Sequence, residues 1–262
     1  MRVSCIQMDM AFAAPQENFA RAEALVRQAV QQERPDTVVL PETWNTGFFP
    51  RENLAQYADE DGAQTKALFF ALAKEFNVNI VAGSVANRKA GGIYNTAFVF
   101  DRTGVCVAEY DKTHLFSPMD EDKFFQKGDL LCRFTLDGAQ CGILICYDIR
   151  FPELTRTLTV DGLDILFLVS QWPKVRLPHL QLLTAARAVE NQMFTVCCNS
   201  CGTAGETVYG GGSQLVDPWG TILARAEGTE QLLTADLDLG ILDGIRNSIH
   251  VFRDRRPELY RY

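Results

Sequence analysis

Three chemically capable side chains each stand directly behind a short apolar run: Glu42 after residues 37–40, Lys112 after 105–110, and Cys146 after 142–145. A thiol, a carboxylate and an ammonium together suffice for acyl transfer through a thioester. A free thiol ionises near about pH 8.5, and a neighbouring ammonium lowers that value and favours the thiolate. A nearby carboxylate can take up and return protons. A cation and the backbone N–H after the nucleophile, here that of Tyr147, can hold the oxyanion. Each residue also has a plainer use. A cysteine after a strand is commonly a small buried hydrophobe, Glu42 can merely end a strand, and Lys112 can sit in water. The setting of Cys146 argues for chemistry, because Asp148, Arg150 and Glu153 follow it within eight positions.

These side chains need elements to carry them. Residues 3–7, 37–40, 78–85, 94–100, 105–110, 133–136, 140–145, 164–170, 194–199, 213–216, 221–226 and 231–236 read as strands from their apolar or alternating runs. Phe19, Ala22, Val26, Ala29 and Val30 fall on one face of a helix that Pro15 opens and Arg34-Pro35-Asp36 stops. Helices are also predicted over 64–76, from about Pro152, and over 179–191. Residues 55–61 read as a polar loop, and the charge-dense run 119–123 as a solvated one. The stretch from about 239 reads as an irregular polar tail, packed on its own chain or on a partner subunit. Interleaved strands and helices indicate an α/β protein with mixed sheet, suited to two sheets packed face to face with helices outside.

Composition narrows the function. The chain of 262 residues has net charge −8, so nucleic acid and anionic membrane surfaces are poor partners. Its start lacks the apolar core of a signal peptide and no apolar run is long enough to span a bilayer, which points to the cytoplasm. Of eight cysteines, five lie in apolar or alternating segments and read as reduced core residues. Cys198 and Cys201 have redox or metal spacing. With three histidines in the chain, none in a matching motif, they read as strand-closing residues rather than a zinc or disulfide site.

The wording around the three exits is more specific. Leu40-Pro41-Glu42, Tyr110-Asp111-Lys112-Thr113-His114-Leu115-Phe116 and Ile145-Cys146-Tyr147-Asp148-Ile149-Arg150-Phe151-Pro152-Glu153 resemble the signature segments of the nitrilase, or carbon–nitrogen hydrolase, superfamily, in that family's order. The likeness continues through Arg187-Ala188-Val189-Glu190-Asn191, Gly212-Ser213 and Asp217-Pro218-Trp219-Gly220, and so spans nearly the whole chain. Gln171-Trp172-Pro173 is most similar to the ω-amidase branch, which acts on short 2-oxo acid monoamides such as 2-oxoglutaramate.

The resemblance implies one domain over 1–262 with an α-β-β-α sandwich fold, often dimerised across a helical face. It implies Cys146 as nucleophile, Glu42 as general base and Lys112 as oxyanion stabiliser, with no metal or organic cofactor. Glu121 matches the second glutamate of many members, with Asp120 as the neighbouring alternative. Arg150 matches a ligand-binding arginine, although it can instead brace the turn against Asp148 or Glu153. Trp172 matches an aromatic wall, and Leu180 departs from an expected aromatic residue. The expected substrate is a small 2-oxo acid amide cleaved with release of ammonia. The other readings are an N-carbamoyl amino acid, deaminated glutathione or a plain aliphatic amide. A catalytically dead binding protein and a dithiol oxidoreductase are the readings from other classes.

Overall fold

The computed structural model describes residues 1–260. It opens with β1 (Arg2–Gln7), α1 (Pro15–Glu33) and β2 (Thr37–Val39). Pro15 sits in the first turn of α1, where its missing N–H costs nothing, and Arg34 in the left-handed region ends the helix before Pro35. A short helix α2 (Leu54–Tyr57) and strand β3 (Asp59–Glu60) lead to α3 (Ala63–Phe76) and to the meander β4 (Asn79–Lys89), β5 (Gly92–Phe100) and β6 (Cys106–Asp111). The second half runs β7 (Arg133–Leu136), β8 (Ala139–Ile145), α4 (Pro152–Thr159), β9 (Ile165–Ser170), α5 (Leu177–Asn191) and β10 (Phe194–Asn199). A small hairpin of β11 (Thr203–Ala204) and β12 (Thr207–Val208) follows. Then come β13 (Gln214–Val216), β14 (Ile222–Arg225), β15 (Gln231–Asp236) and α6 (Leu242–Ser248).

One sheet has the order β15-β1-β2-β4-β5-β6, with β3 paired to β4; the other is β14-β13-β10-β9-β8-β7. Each holds parallel strands at its centre, β1-β2-β4 in one and β8-β9-β10 in the other, flanked by antiparallel neighbours. Alternation along each strand then builds the layers. Val3, Cys5, Val39, Val81 and Val99 share one apolar cluster with Ile143, Ile145, Phe167, Val169 and Val196 between the sheets. The intervening positions Ile6, Val38, Ile80 and Phe98 face outward and pack on Phe19, Ala22 and Val26 of α1 and Phe69 and Leu72 of α3. On the far side, Gly142 leaves room for Leu158 of α4, since a Cβ there would stand 2.8 Å from Leu158 Cδ2. The result is helix, sheet, sheet, helix. Among the described residues no helix is long and apolar enough to cross a membrane.

Two expectations are corrected. Residues 55–61 are not plain loop, because α2 and β3 occupy them, with Asp59 buried and accepting from the Thr65 hydroxyl at 2.6 Å. The stretch from 239 is not irregular throughout. Leu242 and Ile245 bury one side of α6, and Gln192 Nε2 donates to the Ile249 carbonyl at 2.8 Å. Residues 261 and 262 of that tail lie outside the described residues. The β11–β12 hairpin has two residues per strand, too few to show a period.

Candidate active site

The sandwich brings the three strand exits together. Leaving β2, Pro41 approaches β4 so closely that a Cβ on Gly83 would stand 2.0 Å from the Pro41 carbonyl oxygen; Gly83 also has φ +64°. Only glycine fits there. Glu42 follows, its backbone N–H donating to the Ser170 carbonyl at 3.3 Å, which ties this exit to the end of β9. Lys112 leaves β6, with its N–H on the Asn95 carbonyl at 2.9 Å. Cys146 heads the turn after β8 at φ +47°, and Thr43, next to Glu42, has φ +43°. Side chains rarely adopt this backbone region, and such strain concentrates at sites whose surroundings over-determine the geometry.

Three charged groups meet out of water. Lys112 Nζ lies 2.8 Å from Glu42 Oε1 and 2.9 Å from both oxygens of Glu121, and all three side chains are at most 1% exposed. Burial alone would lower the Lys112 pKa, but Glu121, Glu42 and Cys146 together hold it well above the ordinary value. It is a fixed cation. Burial, aided by Glu42 and opposed by Lys112, lifts Glu121 above the usual carboxylate range. Asn95 Nδ2 donates to Glu42 Oε1 at 2.8 Å and to Glu121 Oε1 at 3.3 Å. The Gln171 N–H donates to Glu42 Oε2 at 2.8 Å, and the Phe116 N–H to Glu121 Oε2 at 2.6 Å. Glu121, and not Asp120, is the carboxylate placed on Lys112 beside Glu42. Asp120 takes a left-handed turn that carries it outward to Arg51 and Lys123. The run 119–123 is not simply solvated.

The thiol departs from expectation. Burial, and then the Glu42 carboxylate, push Cys146 well above its ordinary pKa, while Lys112 pulls it down without prevailing. One ammonium between two carboxylates leaves the trio with an excess negative charge. A thiolate beside it is disfavoured until its proton has somewhere to go. Glu42, hydrogen-bonded to the thiol, is the acceptor in reach.

Asp148 braces the turn. Its oxygens accept from the Tyr110 hydroxyl at 2.8 Å, the Thr113 hydroxyl at 3.0 Å, and the backbone N–H groups of His114 and Ile145, each at 3.0 Å. The nucleophile turn is thereby fastened to the segment that carries Lys112. Arg150 is not needed for this and pairs with neither Asp148 nor Glu153 among the described residues. It lies over the Trp172 ring, 4.7 Å from the centroid, with Nη2 3.3 Å from His179 Nδ1.

Cys146, Lys112, Tyr147, Arg150 and Trp172 line one cavity, joined by Phe48, Phe116, Gln171 and Arg176. Arg176 stacks over Phe116 at 5.1 Å and, like Arg150, has no ion-pair partner among the described residues. Two guanidiniums in a small pocket suit a carboxylate. Leu180 is buried in the core, away from this lining. Cys198 and Cys201 form no site there; their thiols turn inward, on the Ile6 and Gln7 carbonyls. Asn95 and Arg176 carry no signal in the sequence wording, and Gln171 stands there only as part of the Gln171-Trp172-Pro173 segment. Asn95 was legible only through strand register, since its neighbour Thr96 pairs with Asp111 and so sets Asn95 beside Lys112.

The chain is also similar to known proteins. The sequence pattern described as carbon-nitrogen hydrolase matches residues 2–247. The 2-oxoglutaramate amidase of Bacillus subtilis is 42% identical over 98% of each chain. The omega-amidase of Homo sapiens is 31% identical over 99% of this chain and 96% of its own. Among solved structures, a variant of the amidase from Nesterenkonia superposes with a TM-score of 0.85 at 26% identity, over 99% of this chain and 95% of that one. It shows covalent addition of the acetamide moiety of fluoroacetamide at that enzyme's active site cysteine.

Proposed function

This chain belongs to the carbon–nitrogen hydrolase family and is an amide-hydrolysing enzyme, and we propose that it cleaves the terminal amide of short 2-oxo acid monoamides, of the 2-oxoglutaramate and 2-oxosuccinamate type, through a thioester on Cys146. The observation that carries this reading is the pair of guanidiniums, Arg150 and Arg176, lining the same small cavity as the thiol. A 2-oxo acid amide has a carboxylate for those cations at one end and the reacting carbonyl at the other. A plain aliphatic amide has nothing for them. The names of the relatives above point to the same substrate class.

In the mechanism, Cys146 passes its proton to Glu42 as its sulfur attacks the amide carbonyl. The oxyanion is held by the Lys112 ammonium and the Tyr147 backbone N–H. Glu42 returns the proton to the departing nitrogen and ammonia leaves. Glu42 then takes a proton from water, which attacks the thioester; the C–S bond breaks and the thiol is restored. Glu121 keeps Lys112 aimed and charged, and Trp172 supports Arg150.

A homodimer belongs to this reading. Leu182 and Val189 lie one heptad apart on α5, 70% and 48% exposed, and Trp219, 56% exposed, precedes Gly220, where a Cβ would stand 2.8 Å from Val189 Cγ2. Light scattering is expected to give twice the 29.3 kDa of one chain. A cytoplasmic setting suits eight cysteines that are all free.

The test is ammonia release from a panel of 2-oxoglutaramate, 2-oxosuccinamate, an N-carbamoyl amino acid, deaminated glutathione and an aliphatic amide. The 2-oxo acid amides should have the highest kcat/KM, and a trapped acyl group should map to Cys146. A higher value for any other member would replace the substrate assignment. An adduct on another cysteine would overturn the mechanism.

A further inference from the structure

Gln171 is 2% exposed and lines the active cavity, on the chain leaving β9. Its two ends are held unequally. The side-chain oxygen accepts from the Thr43 hydroxyl at 2.6 Å, and the backbone N–H donates to Glu42 Oε2 at 2.8 Å. The side-chain nitrogen Nε2, buried, has no hydrogen-bond partner among the described residues. Leaving a buried donor unmet is costly, so a group in this state marks where a ligand atom belongs. With the oxygen on Thr43, the unpaired end of the carboxamide is a donor. Thr43 itself holds a left-handed backbone, so both residues flanking this contact are tightly constrained.

The reaction needs a donor here. Ammonia leaving the tetrahedral intermediate carries a lone pair. The water that replaces it must give one proton to Glu42 while its oxygen faces the thioester carbon. A donor beside Glu42 that binds the first and then the second of these would keep the exchange in register. We propose that Gln171 is the water-positioning residue of the deacylation step, its Nε2 donating to the oxygen of the hydrolytic water while Glu42 takes that water's proton. The balance is simple. The water O–H proton passes to Glu42, the C–O bond forms as the Cys146 C–S bond breaks, and Glu42 returns the proton to sulfur. The inference rests on the thioester reading above.

The consequence is a division between the two half-reactions. The ratio kcat/KM extends only to the first irreversible step, acylation with loss of ammonia, whereas kcat includes attack by water. Gln171→Met keeps the length of the side chain and removes the donor. With 2-oxoglutaramate its kcat should fall roughly tenfold to a hundredfold, the scale for one hydrogen bond to a reacting polar group. KM should fall in parallel, leaving kcat/KM within about twofold. Mass spectrometry should find acyl-Cys146 accumulating during turnover, and hydroxylamine, a stronger nucleophile than water, should restore turnover as hydroxamate. Thr43→Val, which frees the carboxamide without removing it, should shift the same ratios in the same direction by less.

A proportional loss of kcat and kcat/KM, with no accumulated acyl-enzyme, would overturn the proposal. It would mean that Gln171 acts in acylation or in substrate binding. If Gln171→Met does not fold, Thr43→Val decides, and an unchanged deacylation rate in that variant is equally fatal. Wild-type enzyme that forms no acyl adduct with any amide would instead sink the thioester reading itself, so the two failures are distinguishable.

Discussion

Two clusters of one cation and two carboxylates lie at opposite ends of the parallel strands. At the exit of β2 and β6, Lys112 meets Glu42 and Glu121, with the three side chains 1%, 0% and 1% exposed. At the entry of β2, Arg102 meets Asp36 at 2.8 Å and Asp137 at 2.6 Å, with exposures of 28%, 44% and 32%. Both clusters join the two sheets: Gln171 from the second sheet reaches Glu42, and Asp137 sits in the β7–β8 turn. The inventory of charges is the same and the consequence is opposite. Water at the outer cluster screens each charge, so the pairs act as a clasp of modest strength. Dry surroundings at the inner cluster leave each charge dependent on its partners and the thiol protonated until a substrate arrives.

The sharpest way to break the comparison is to remove each cation. Lys112→Met strands two buried carboxylates and should cost about 3–5 kcal/mol of stability, as for other broken buried pairs. Activity should be lost with it. In whatever fraction folds, Cys146 loses the neighbouring cation that favours its thiolate, so iodoacetamide alkylation should require still higher pH. An unshifted alkylation profile would separate Lys112 from the thiol. Next in size, Glu42→Gln keeps the shape and most contacts of the inner cluster but cannot cycle protons. Turnover should fall by ~10² or more, the usual scale for general acid–base catalysis, with a small change in melting temperature.

Arg150→Lys sharpens the contrast from inside the pocket, because it retains charge and loses the planar fork. KM for 2-oxoglutaramate should rise roughly tenfold to a hundredfold, and much less for an uncharged amide of equal length. Equal losses on the two amides would remove the carboxylate-reading role.

The smallest effect belongs to the outer cluster. Arg102→Met should cost about 1 kcal/mol, with kcat unchanged. Its pH dependence has a definite sign. The Arg102 hydrogen bonds hold Asp137 below its ordinary 3.8; burial alone would raise Asp36, but the Arg2 N–H and Arg102 outweigh it and hold that carboxyl below 3.8 as well. Groups depressed on folding add stability above their unfolded pKa and lose it as pH falls through the folded value. The gap between wild type and variant in urea unfolding should therefore be full at pH 7 and close below about pH 3.8. A gap that persists in acid would mean that packing of the Arg102 stem, and not charge, makes the clasp.

The same contrast explains what the sequence could disclose. Glu42, Lys112 and Cys146 were legible because each follows an apolar run, and strand ends are where a sheet gathers polar groups. Asp120 and Glu121 were not separable by type or position; the left-handed turn at Asp120 sends one out and its neighbour in. Lys112 does pull the thiol pKa down, but burial outweighs it, and depth of burial is not written in local spacing. Asn95 and Gln171 depend on register and on the docking of one sheet against the other. In α6, seven residues with Gly244 in the interior give little helical signal, and its identity as a helix comes from the burial of Leu242 and Ile245.

The pairing of β1 with β15 carries a consequence for synthesis. Arg2 stands opposite Asp236 in that antiparallel ladder, and the Met1 amino group donates to the Leu237 carbonyl at 2.9 Å. A ribosome adding about 5–20 residues per second needs roughly ten to fifty seconds to supply the second strand after the first has emerged. Throughout that interval β1 presents an unpaired apolar edge, the kind of surface that recruits other nascent chains. A growing polypeptide therefore passes most of its time on the ribosome with its first sheet unfinished, and Cys146 is made well before that sheet closes. Yield in a cell should then respond to chaperone supply and elongation rate more than to the stability of the finished enzyme.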